Sequence, residues 1–226
     1  MSPPLSRKPM FSAAIFDVDG LLIDSERAIM RLWLRATASL DRPMTESDYI
    51  PTIGRAAKES AAILIERLGQ TVFERTYAEV QTAIQTSDPA QLFPPKPGAR
   101  EILERLRARG IPCVVASSTV STEVRRRLLG AHLLEFFDAV IGGDQVLLGK
   151  PDPALYRLAA GSLKTPPAKC LAFEDSDHGI SAATAAMVRV ILVPDIKEPG
   201  PASRQNSLAT VASLTAAIQH LDRWFN

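Results

Sequence analysis

Residues 11–20, Phe-Ser-Ala-Ala-Ile-Phe-Asp-Val-Asp-Gly, join an apolar run to a turn with two carboxylates. The run of residues 11–16 has the length and composition of a buried β-strand, so Asp17 and Asp19 come directly after the strand. An Asp-X-Asp-Gly segment can also be a simple tight turn. Whether these carboxylates carry chemistry therefore depends on which residues the rest of the chain places beside them.

Downstream of residue 98, apolar runs of strand length alternate with helical patterns. Residues 99–109 have apolar positions at helix spacing and end at Gly110, a good C-terminal cap, and Asp152 is placed to cap a helix over residues 153–163. Such alternation predicts βαβ units and a mostly parallel sheet covered on both faces. The predicted strands of this part are 111–116, 139–141, 170–173 and 188–193.

The span between the first two predicted strands has a different character. Residues 25–87 have a helical pattern without a strand, and Gly69 is a helix stop inside it. Three prolines within residues 94–97 then mark a boundary. We therefore predict an α/β protein with a Rossmann-like core of residues 10–25 and 95–226, an inserted all-helical cap of residues 26–94 and a flexible leader of residues 1–9.

Composition excludes several classes of partner. The 26 basic and 25 acidic residues of the 226-residue chain nearly cancel, and the longest basic run is Arg125 to Arg127, expected to be a solvated helix face. No nucleic-acid partner is therefore expected. No apolar stretch approaches the roughly 20 residues of a membrane span, so no membrane partner is expected either. With two cysteines in apolar stretches, the chain is expected to be cytoplasmic; its oligomeric state is left open.

Chemically capable side chains follow four of the predicted strands. In a parallel sheet, ligands bind at the carboxyl ends of the strands, so these side chains are expected to meet at one edge. Separately, each has a structural explanation, because serines often cap helices and a lone loop lysine is usually exposed. The candidates, in chain order, are Asp17, Asp19, Ser117, Ser118, Lys150, Glu174 and Asp175.

Taken together, these candidates suit phosphoryl transfer. Clustered carboxylates repel one another unless a hard cation neutralises them, and oxygen ligands suit Mg²⁺, which Asp17 and Asp175 would hold. Lys150 and Ser117 would supply positive charge and hydrogen bonds to the transferred phosphoryl group. A carboxylate nucleophile divides hydrolysis into two steps through an aspartyl-phosphate, and Asp19 can protonate the departing oxygen.

Four motifs in order resemble the haloacid dehalogenase superfamily, in its phosphatase and phosphomutase branch with a helical cap. They are Asp-Val-Asp-Gly-Leu-Leu-Ile-Asp-Ser at 17–25, Val-Ala-Ser-Ser at 115–118, Gly-Lys-Pro-Asp-Pro at 149–153 and Phe-Glu-Asp-Ser at 173–176. The resemblance implies a Rossmann-like core with a cap inserted after the first strand. It also implies a Mg²⁺-dependent enzyme that removes phosphate from a small phosphorylated metabolite, either a sugar phosphate or a phosphoglycolate-like compound.

Matching motif positions imply a role for each candidate residue. Asp17 looks like the nucleophile and a metal ligand, and Asp19 like the general acid and base whose main-chain carbonyl also binds the metal. Dehalogenases of the superfamily lack this second acid, so dehalogenation is disfavoured. By the same resemblance, Ser117, Ser118 and Lys150 would bind phosphate, Lys150 would also contact the nucleophile, and Asp175 would complete the metal ligands with direct or water-mediated support from Glu174.

Two positions depart from the family pattern. The similar mutase carries a histidine in the first cap helix and a basic pair in the cap loop, whereas this chain has Ile29 and only Arg55. We therefore expect a phosphatase, with Arg55 as a candidate substrate contact. The family also places glycine where this chain has Met187, and because a left-handed cap costs a non-glycine residue about 1 kcal/mol or more, the helix is predicted to end without one.

Two other functions remain alternatives to the phosphatase. One is a sugar-phosphate mutase of the beta-phosphoglucomutase type. The other is a phospho-accepting signalling domain like a response-regulator receiver, which also gathers aspartates, a hydroxyl, a lysine and Mg²⁺. Sustained phosphate release over many turnovers, instead of one stoichiometric burst, separates an enzyme from such a switch.

Overall fold

The computed structural model describes residues 10–55 and 57–225. The leader predicted for residues 1–9 lies outside the described residues. Six parallel strands form one sheet, with helices packed on both faces. The predicted α/β fold class with a Rossmann-like parallel sheet is confirmed. No helix among the described residues combines the length and the apolar character needed to cross a membrane.

Five of the six strands are in the places predicted from the apolar runs. The third strand along the chain has the predicted bounds, and the other four differ from theirs by one or two residues at one or both ends. The sixth strand was not predicted, because two residues are too few to show a strand pattern. The strands are β1 Ala13–Phe16, β2 Cys113–Ala116, β3 Ala139–Ile141, β4 Cys170–Glu174, β5 Arg189–Leu192 and β6 Ala209–Thr210.

Strand β1 lies at the centre of the sheet, where the strand order reverses. Phe16 is opposite Val115 of β2 on one side and Phe173 of β4 on the other. The chain adds β2 and β3 in one direction from β1 and β4 to β6 in the other. Ligands of open parallel sheets bind at such a switch point, beyond the carboxyl ends of the strands. Asp17, the residue after β1, stands at this point.

Every regular element described between β1 and β2 is helical, as predicted for this span. Gly69 has a φ of 79° and separates two helices, which confirms the predicted stop. The division into a core and a cap of residues 26–94 stays a prediction. The helices are α1 Ser25–Ser39, α2 Glu46–Tyr49, α3 Ala57–Leu68, α4 Gln70–Thr86, α5 Pro89–Leu92 and α6 Ala99–Ala108, with a 3-10 turn at Ile50–Thr52.

The two connections of this helical span run side by side. The Asp24 amide donates to the Pro94 carbonyl at 3.0 Å, and the Lys96 amide donates to the Leu22 carbonyl at 2.8 Å. Both segments therefore leave the sheet from one place, directly beside the Asp17–Gly20 turn.

The remaining helices cover both faces of the sheet, because alternate strand residues point to opposite sides. Ala13 and Ile15 of β1 pack in a cluster with Leu155, while Ala14 and Phe16 belong to the larger cluster on the other face. The helices are α7 Ser121–Gly130, α8 Ala154–Ser162, α9 Asp177–Ala185, α10 Pro201–Asn206, α11 Leu214–Ile218 and α12 Leu221–Phe225. Three 3-10 turns lie at Leu134–Phe136, Gly143–Gln145 and Pro167–Lys169.

The prediction for Met187 is wrong. Met187 has a φ of 61°, so helix α9 does end in a left-handed residue that is not glycine. Its amide donates to the Thr184 carbonyl at 2.9 Å, and the Val188 amide donates to the Ala183 carbonyl at 2.9 Å. These two bonds form a Schellman cap, which satisfies carbonyls that the helix end would otherwise leave unpaired. Those bonds offset the strain.

We predict that Met187→Gly stabilises the protein by about 1 kcal/mol, because glycine removes the Cβ strain of the left-handed conformation. Little packing is lost, since Met187 is 71% exposed. The free energy of unfolding, measured by urea denaturation, checks the gain. Met187→Ala is the matched control, because it shortens the side chain but keeps the Cβ. Equal stability of the Gly and Ala variants would show that the cap is unstrained.

Candidate active site

A cavity of about 280 Å³ opens at the carboxyl edge of the sheet, between the strand ends and the helical span. Of the predicted site residues, all but Glu174 line it, and Glu174 lies fully buried beneath it. The structure thus brings together residues that lie up to about 160 positions apart in the chain. The predicted residues lining the cavity are Asp17, Asp19, Arg55, Ser117, Ser118, Lys150 and Asp175.

Lys150 links two carboxylates at the carboxyl ends of the neighbouring strands β1 and β4. Its ammonium donates to Asp17 Oδ1 at 2.6 Å and to Glu174 Oε1 at 2.5 Å. Burial by itself would lower the pKa of Lys150, but the charges of Asp17 and Glu174 outweigh burial and raise it above its usual value. The lysine is therefore a permanent cation that holds one oxygen of the Asp17 carboxylate in place.

Glu174 serves as the anchor for Lys150. Its Oε1 also accepts from the Tyr156 hydroxyl at 2.9 Å, and its Oε2 accepts from the Asp175 and Ser176 amides at 3.0 and 3.1 Å. Burial would raise the pKa of Glu174, but Lys150 and these hydrogen bonds keep it below its usual value. With both oxygens engaged, Glu174 fits indirect support of a metal better than direct ligation.

Two glycines make this packing of carboxylates feasible. A Cβ on Gly179, the third residue of α9, would lie 1.7 Å from Glu174 Oε1. A Cβ on Gly20 would lie 2.3 Å from Asp175 Oδ2. A side chain at either position would displace a carboxylate. The Gly20 that follows Asp19 is therefore required by the approach of Asp175 as well as by its own φ of 83°.

The carboxylate cluster has the features of a cation site. Asp17, Glu174 and Asp175 each offer an oxygen within 4.8 Å of the others. Burial, followed by the neighbouring carboxylates, raises the pKa of Asp17 to about 8 against the opposing effect of Lys150, and burial raises that of Asp175 well above its usual range. Carboxylates that are this unfavourable as bare anions are stabilised by a hard divalent ion, and all-oxygen ligands suit Mg²⁺.

We predict that Mg²⁺ stabilises the protein more at about pH 8 than at about pH 6. Without metal, the folded protein keeps protons on Asp17 and Asp175 that the unfolded chain loses above about pH 4, so its stability falls as the pH rises. Mg²⁺ must displace those protons, which costs about 1.4 kcal/mol per proton and pH unit. Thermal unfolding with Mg²⁺ and with chelator measures the difference. The Asp175→Asn variant should lose the stabilisation by Mg²⁺. Equal stabilisation of the parent protein at both pH values would contradict this cation site.

Asp19 is surrounded by donors that keep it charged. Its Oδ1 accepts from the Ser25 hydroxyl and from the Arg127 guanidinium, each at 2.6 Å, and its Oδ2 accepts from the Thr119 hydroxyl at 2.8 Å. Burial would raise the pKa of Asp19, but Arg127 and these hydrogen bonds together hold it below its usual value. In this arrangement Asp19 is an anion, ready to accept a proton.

The expectation that Arg125 to Arg127 form a solvated helix face is wrong for Arg127. Of the three, Arg125 is exposed and Arg126 half-buried, whereas Arg127 is 6% exposed and lines the site. Besides Asp19, its guanidinium contacts Glu123 at 2.8 Å and lies over the Phe93 ring at 4.4 Å. Arg127 is thus a second cation of the cavity, and it was missed in the sequence because it belongs to a basic run.

We predict that Arg127→Gln lowers the free energy of unfolding by about 2 kcal/mol, because Asp19 and Glu123 lose a charged hydrogen-bond donor in a buried setting. Arg125→Gln, on the exposed side of the same helix, should change it by less than about 0.5 kcal/mol. Urea denaturation of both variants measures the contrast. Equal effects would mean that the Arg127–Asp19 pair contributes nothing to the fold.

The serines that follow β2, Ser117 and Ser118, do not cap helix α7. Helix α7 begins at Ser121 with Val120 at its N-cap and without a side-chain cap bond. Ser117 is buried, and its hydroxyl oxygen accepts from the Thr119 amide at 3.1 Å, while Ser118 is exposed to the cavity. The helix-cap interpretation of these hydroxyls therefore does not hold, and both serines line the cavity together with Lys150.

The opposite wall of the cavity comes from the helical span. Ile29, Gly54 and Arg55 line it, and Arg55 already donates to the Pro51 carbonyl at 2.8 Å. Glu26, which sequence reasoning missed, also lines this wall, and burial followed by the charge of Asp19 raises its pKa to about 7. His178 is half-buried and lines the cavity as well.

The sequence is similar to a known family and to proteins of known activity. The haloacid dehalogenase-like hydrolase model matches residues 11–186. The phosphorylated carbohydrates phosphatase of Thermotoga maritima is 34% identical over 184 residues, which cover 79% of this chain and 83% of that protein. Hexitol phosphatase B of Escherichia coli K12 is 32% identical over 189 residues, covering 80% of this chain and 83% of its own.

Solved structures extend the likeness to most of the chain. A Thermotoga maritima protein, described as a candidate beta-phosphoglucomutase, superposes with a TM-score of 0.77 at 30% identity, covering 94% of this chain and 99% of its own. CbbY of Rhodobacter sphaeroides in complex with phosphate superposes with a TM-score of 0.71 at 24% identity, covering 91% and 95%. The second comparison shows a shared fold.

Proposed function

The chain belongs to the haloacid dehalogenase-like hydrolase family, and we propose that it is a Mg²⁺-dependent phosphatase of small phosphorylated metabolites that acts through an aspartyl-phosphate on Asp17. The observation that carries this proposal is the Asp17–Lys150–Glu174 chain. Lys150 holds Asp17 Oδ1 at 2.6 Å beneath the cavity. The other carboxylate oxygen is then the nucleophile, held at the switch point of the sheet with its rotation restricted.

In the first step, Asp17 Oδ2 forms a bond to phosphorus, and the bond from phosphorus to the ester oxygen breaks. The leaving oxygen takes a proton from Asp19, which is an anion in the free site and must first take up this proton from solvent. In the second step, a water oxygen bonds to phosphorus, the bond between Asp17 and phosphorus breaks, and Asp19 receives a proton from that water. To deliver its proton, Asp19 must exchange its contact with Arg127 for the substrate oxygen.

The other site residues orient the phosphoryl group and balance its charge. Ser117, Ser118 and Lys150 would supply donors to its oxygens, in keeping with their places on the cavity wall. Asp17, Asp175 and the Asp19 carbonyl would hold Mg²⁺, with Glu174 in support. The bound ion supplies positive charge to the phosphoryl oxygens and lowers the repulsion between them and the carboxylates.

Substrate selection would lie with residues 26–94 acting as a cap over the core of residues 10–25 and 95–226. The paired connections beside Asp17 would let this helical span close over the substrate and reopen for release. Relatives named for phosphorylated carbohydrates and for hexitols favour a small phosphorylated metabolite. Arg55 is the candidate cap residue for contact with its polar groups.

The mutase alternative finds less support than the phosphatase. Ile29, at the position where the similar mutase carries histidine, lines the cavity and cannot exchange protons with a sugar hydroxyl. Water is then the better acceptor of the phosphoryl group. The receiver-like alternative is replaced by membership of a hydrolase family.

A panel of phosphorylated metabolites, assayed with Mg²⁺ and with chelator, tests the proposed function. Free phosphate should accumulate over many turnovers with Mg²⁺ and not with chelator. A product with its phosphate moved to another position, without phosphate release, would establish the mutase instead. One equivalent of phosphate per enzyme, or equal rates with chelator, would contradict a Mg²⁺-dependent phosphatase.

A further inference from the structure

A second cavity, of about 230 Å³, lies within the helical span and joins the first. The two cavities share five lining residues, so they form one continuous space that leads away from Asp17. The far part is lined by α1, α3, α4 and the 3-10 turn at Ile50–Thr52. The shared residues are Glu26, Ile29, Gly54, Arg55 and Ala57.

Aromatic side chains form one wall of this second cavity. The rings of Trp33 and Phe73 stack with centroids 5.8 Å apart, and those of Phe73 and Tyr77 stack at 5.9 Å. The ring centroids of Trp33 and Tyr49 lie 6.2 Å apart. Tyr77 is 49% exposed, so the wall reaches from the interior to the surface. Such a row of rings offers faces and edges to another planar or apolar ring.

Two hydroxyl groups of the second cavity already donate to backbone carbonyls. Thr52 Oγ1 donates to the Tyr49 carbonyl at 2.7 Å, and Ser60 Oγ donates to the Thr52 carbonyl at 2.9 Å. The residues shared by the two cavities still offer polar partners, but the Phe73 ring offers none, so a hydroxyl placed against this ring would lose its bond to water without replacement. A ring with few polar groups avoids that loss.

We propose that this cavity binds the leaving group of the substrate, and that the preferred substrates are phosphate monoesters whose alcohol carries an aromatic or apolar ring. This inference rests on the proposed phosphatase function and names its substrate class. The phosphoryl group lies at Asp17, the alcohol chain passes between Ile29 and Arg55, and the ring lies against Phe73 and Tyr77.

The test compares 2-phenylethyl and 4-phenylbutyl phosphates with ethyl and butyl phosphates of the same chain lengths, and with glycerol 3-phosphate. All five are esters of primary alcohols, so differences arise mainly from binding of the added groups. At least one phenyl ester should exceed its alkyl partner by roughly tenfold in kcat/KM, as burial of a phenyl ring allows. Equal values, or a preference for glycerol 3-phosphate, would overturn the proposal.

Variants of helix α4 locate the effect in the cavity. Tyr77→Ala should reduce the ratio of phenyl-ester to alkyl-ester kcat/KM by roughly threefold or more. Glu79→Ala, an exposed position on the same helix, is the matched control and should leave the ratio unchanged. An unchanged ratio in Tyr77→Ala, or an equal fall in both variants, would overturn the assignment to this wall.

Calorimetry with 2-phenylethylphosphonate and ethylphosphonate in Mg²⁺ separates this inference from the proposed function, because phosphonates bind without being hydrolysed. Tighter binding of the phenyl compound by roughly tenfold, with no turnover of any ester, would contradict the phosphatase proposal and support the ring-binding site. Turnover of all esters with equal affinity for the two phosphonates would do the reverse.

Discussion

Asp17→Asn is expected to lower kcat by about 10⁴-fold or more, because an amide cannot attack phosphorus as a carboxylate does. The fold should persist. Lys150 keeps its contact with Glu174, and the asparagine is isosteric with the residue that it replaces. Phosphate release in the presence of Mg²⁺ measures the loss, and circular dichroism with urea denaturation checks the fold.

The stability of the same variant gives an independent readout of the site. Burial and neighbouring carboxylates raise the pKa of Asp17 to about 8, so its charge is unfavourable in the protein without metal. A neutral amide at this position should leave the metal-free protein at least as stable as the parent above about pH 8. Substantial Mg²⁺-dependent turnover by a folded Asp17→Asn protein would mean that another residue is the nucleophile.

Asp19→Asn is expected to lower kcat by about 10²-fold to 10⁴-fold, the usual contribution of a general acid and base. The loss should be larger for an alkyl phosphate than for 4-nitrophenyl phosphate, because nitrophenolate leaves without needing a proton. Comparing kcat/KM for both esters measures this difference. A merely structural role for Asp19 would lower both values equally.

Asp24→Asn provides the control for that substitution. Asp24 is the next aspartate along the chain, pairs with Arg27 at 2.9 Å and does not line the first cavity. Its replacement should leave the ratio between the two esters unchanged. If Asp24→Asn altered the ratio as strongly as Asp19→Asn, the proton-transfer role of Asp19 would be untenable.

Much of the sheet could be predicted because its strands are buried on both faces. Such strands are continuous apolar runs, which is why the bounds 139–141 matched and 170–173 fell one residue short. The meeting of Asp17, Ser117, Lys150 and Asp175 followed from parallel topology alone, since each comes after a strand end. β6 has two residues, one of them exposed, so no pattern marked it.

The burial of Arg127 could not be predicted from charge composition. A run of three arginines indicates a solvated face, but helical spacing puts residue 127 on the same side as Val124 and Leu128, both fully buried. That periodicity was the available signal for a buried arginine. Its partner, Asp19, lies 108 residues away, and the sequence has no mark for such a pair.

Tyr156 and Met187 show two further features that the sequence pattern did not predict. Tyr156 was one aromatic residue in a predicted helix, and its bond to Glu174 depends on how α8 packs against the sheet. At Met187, the prediction was correct that a left-handed conformation costs free energy. It did not include a stabilising gain that offsets this cost. The hydrogen bonds of the Schellman cap and an exposed side chain supply that gain.

The aromatic wall of the second cavity was also beyond sequence reasoning. Trp33 packs against Tyr49 and Phe73. Its second role arises only because α1 and α4 leave a space between them that opens toward Asp17. Whether an aromatic residue packs or also lines a cavity depends on the geometry of the helices.

Chemical trapping of the phosphorylated enzyme tests the central role of Asp17 most directly. The protein is quenched in acid during turnover with Mg²⁺ and substrate, and borohydride then reduces the acyl phosphate to an alcohol, which converts the aspartate to homoserine. Peptide mass mapping should find homoserine at position 17, only when substrate is present and not in Asp17→Asn. Homoserine at position 19 or 175, or no trapped residue during steady turnover, would contradict nucleophilic attack by Asp17.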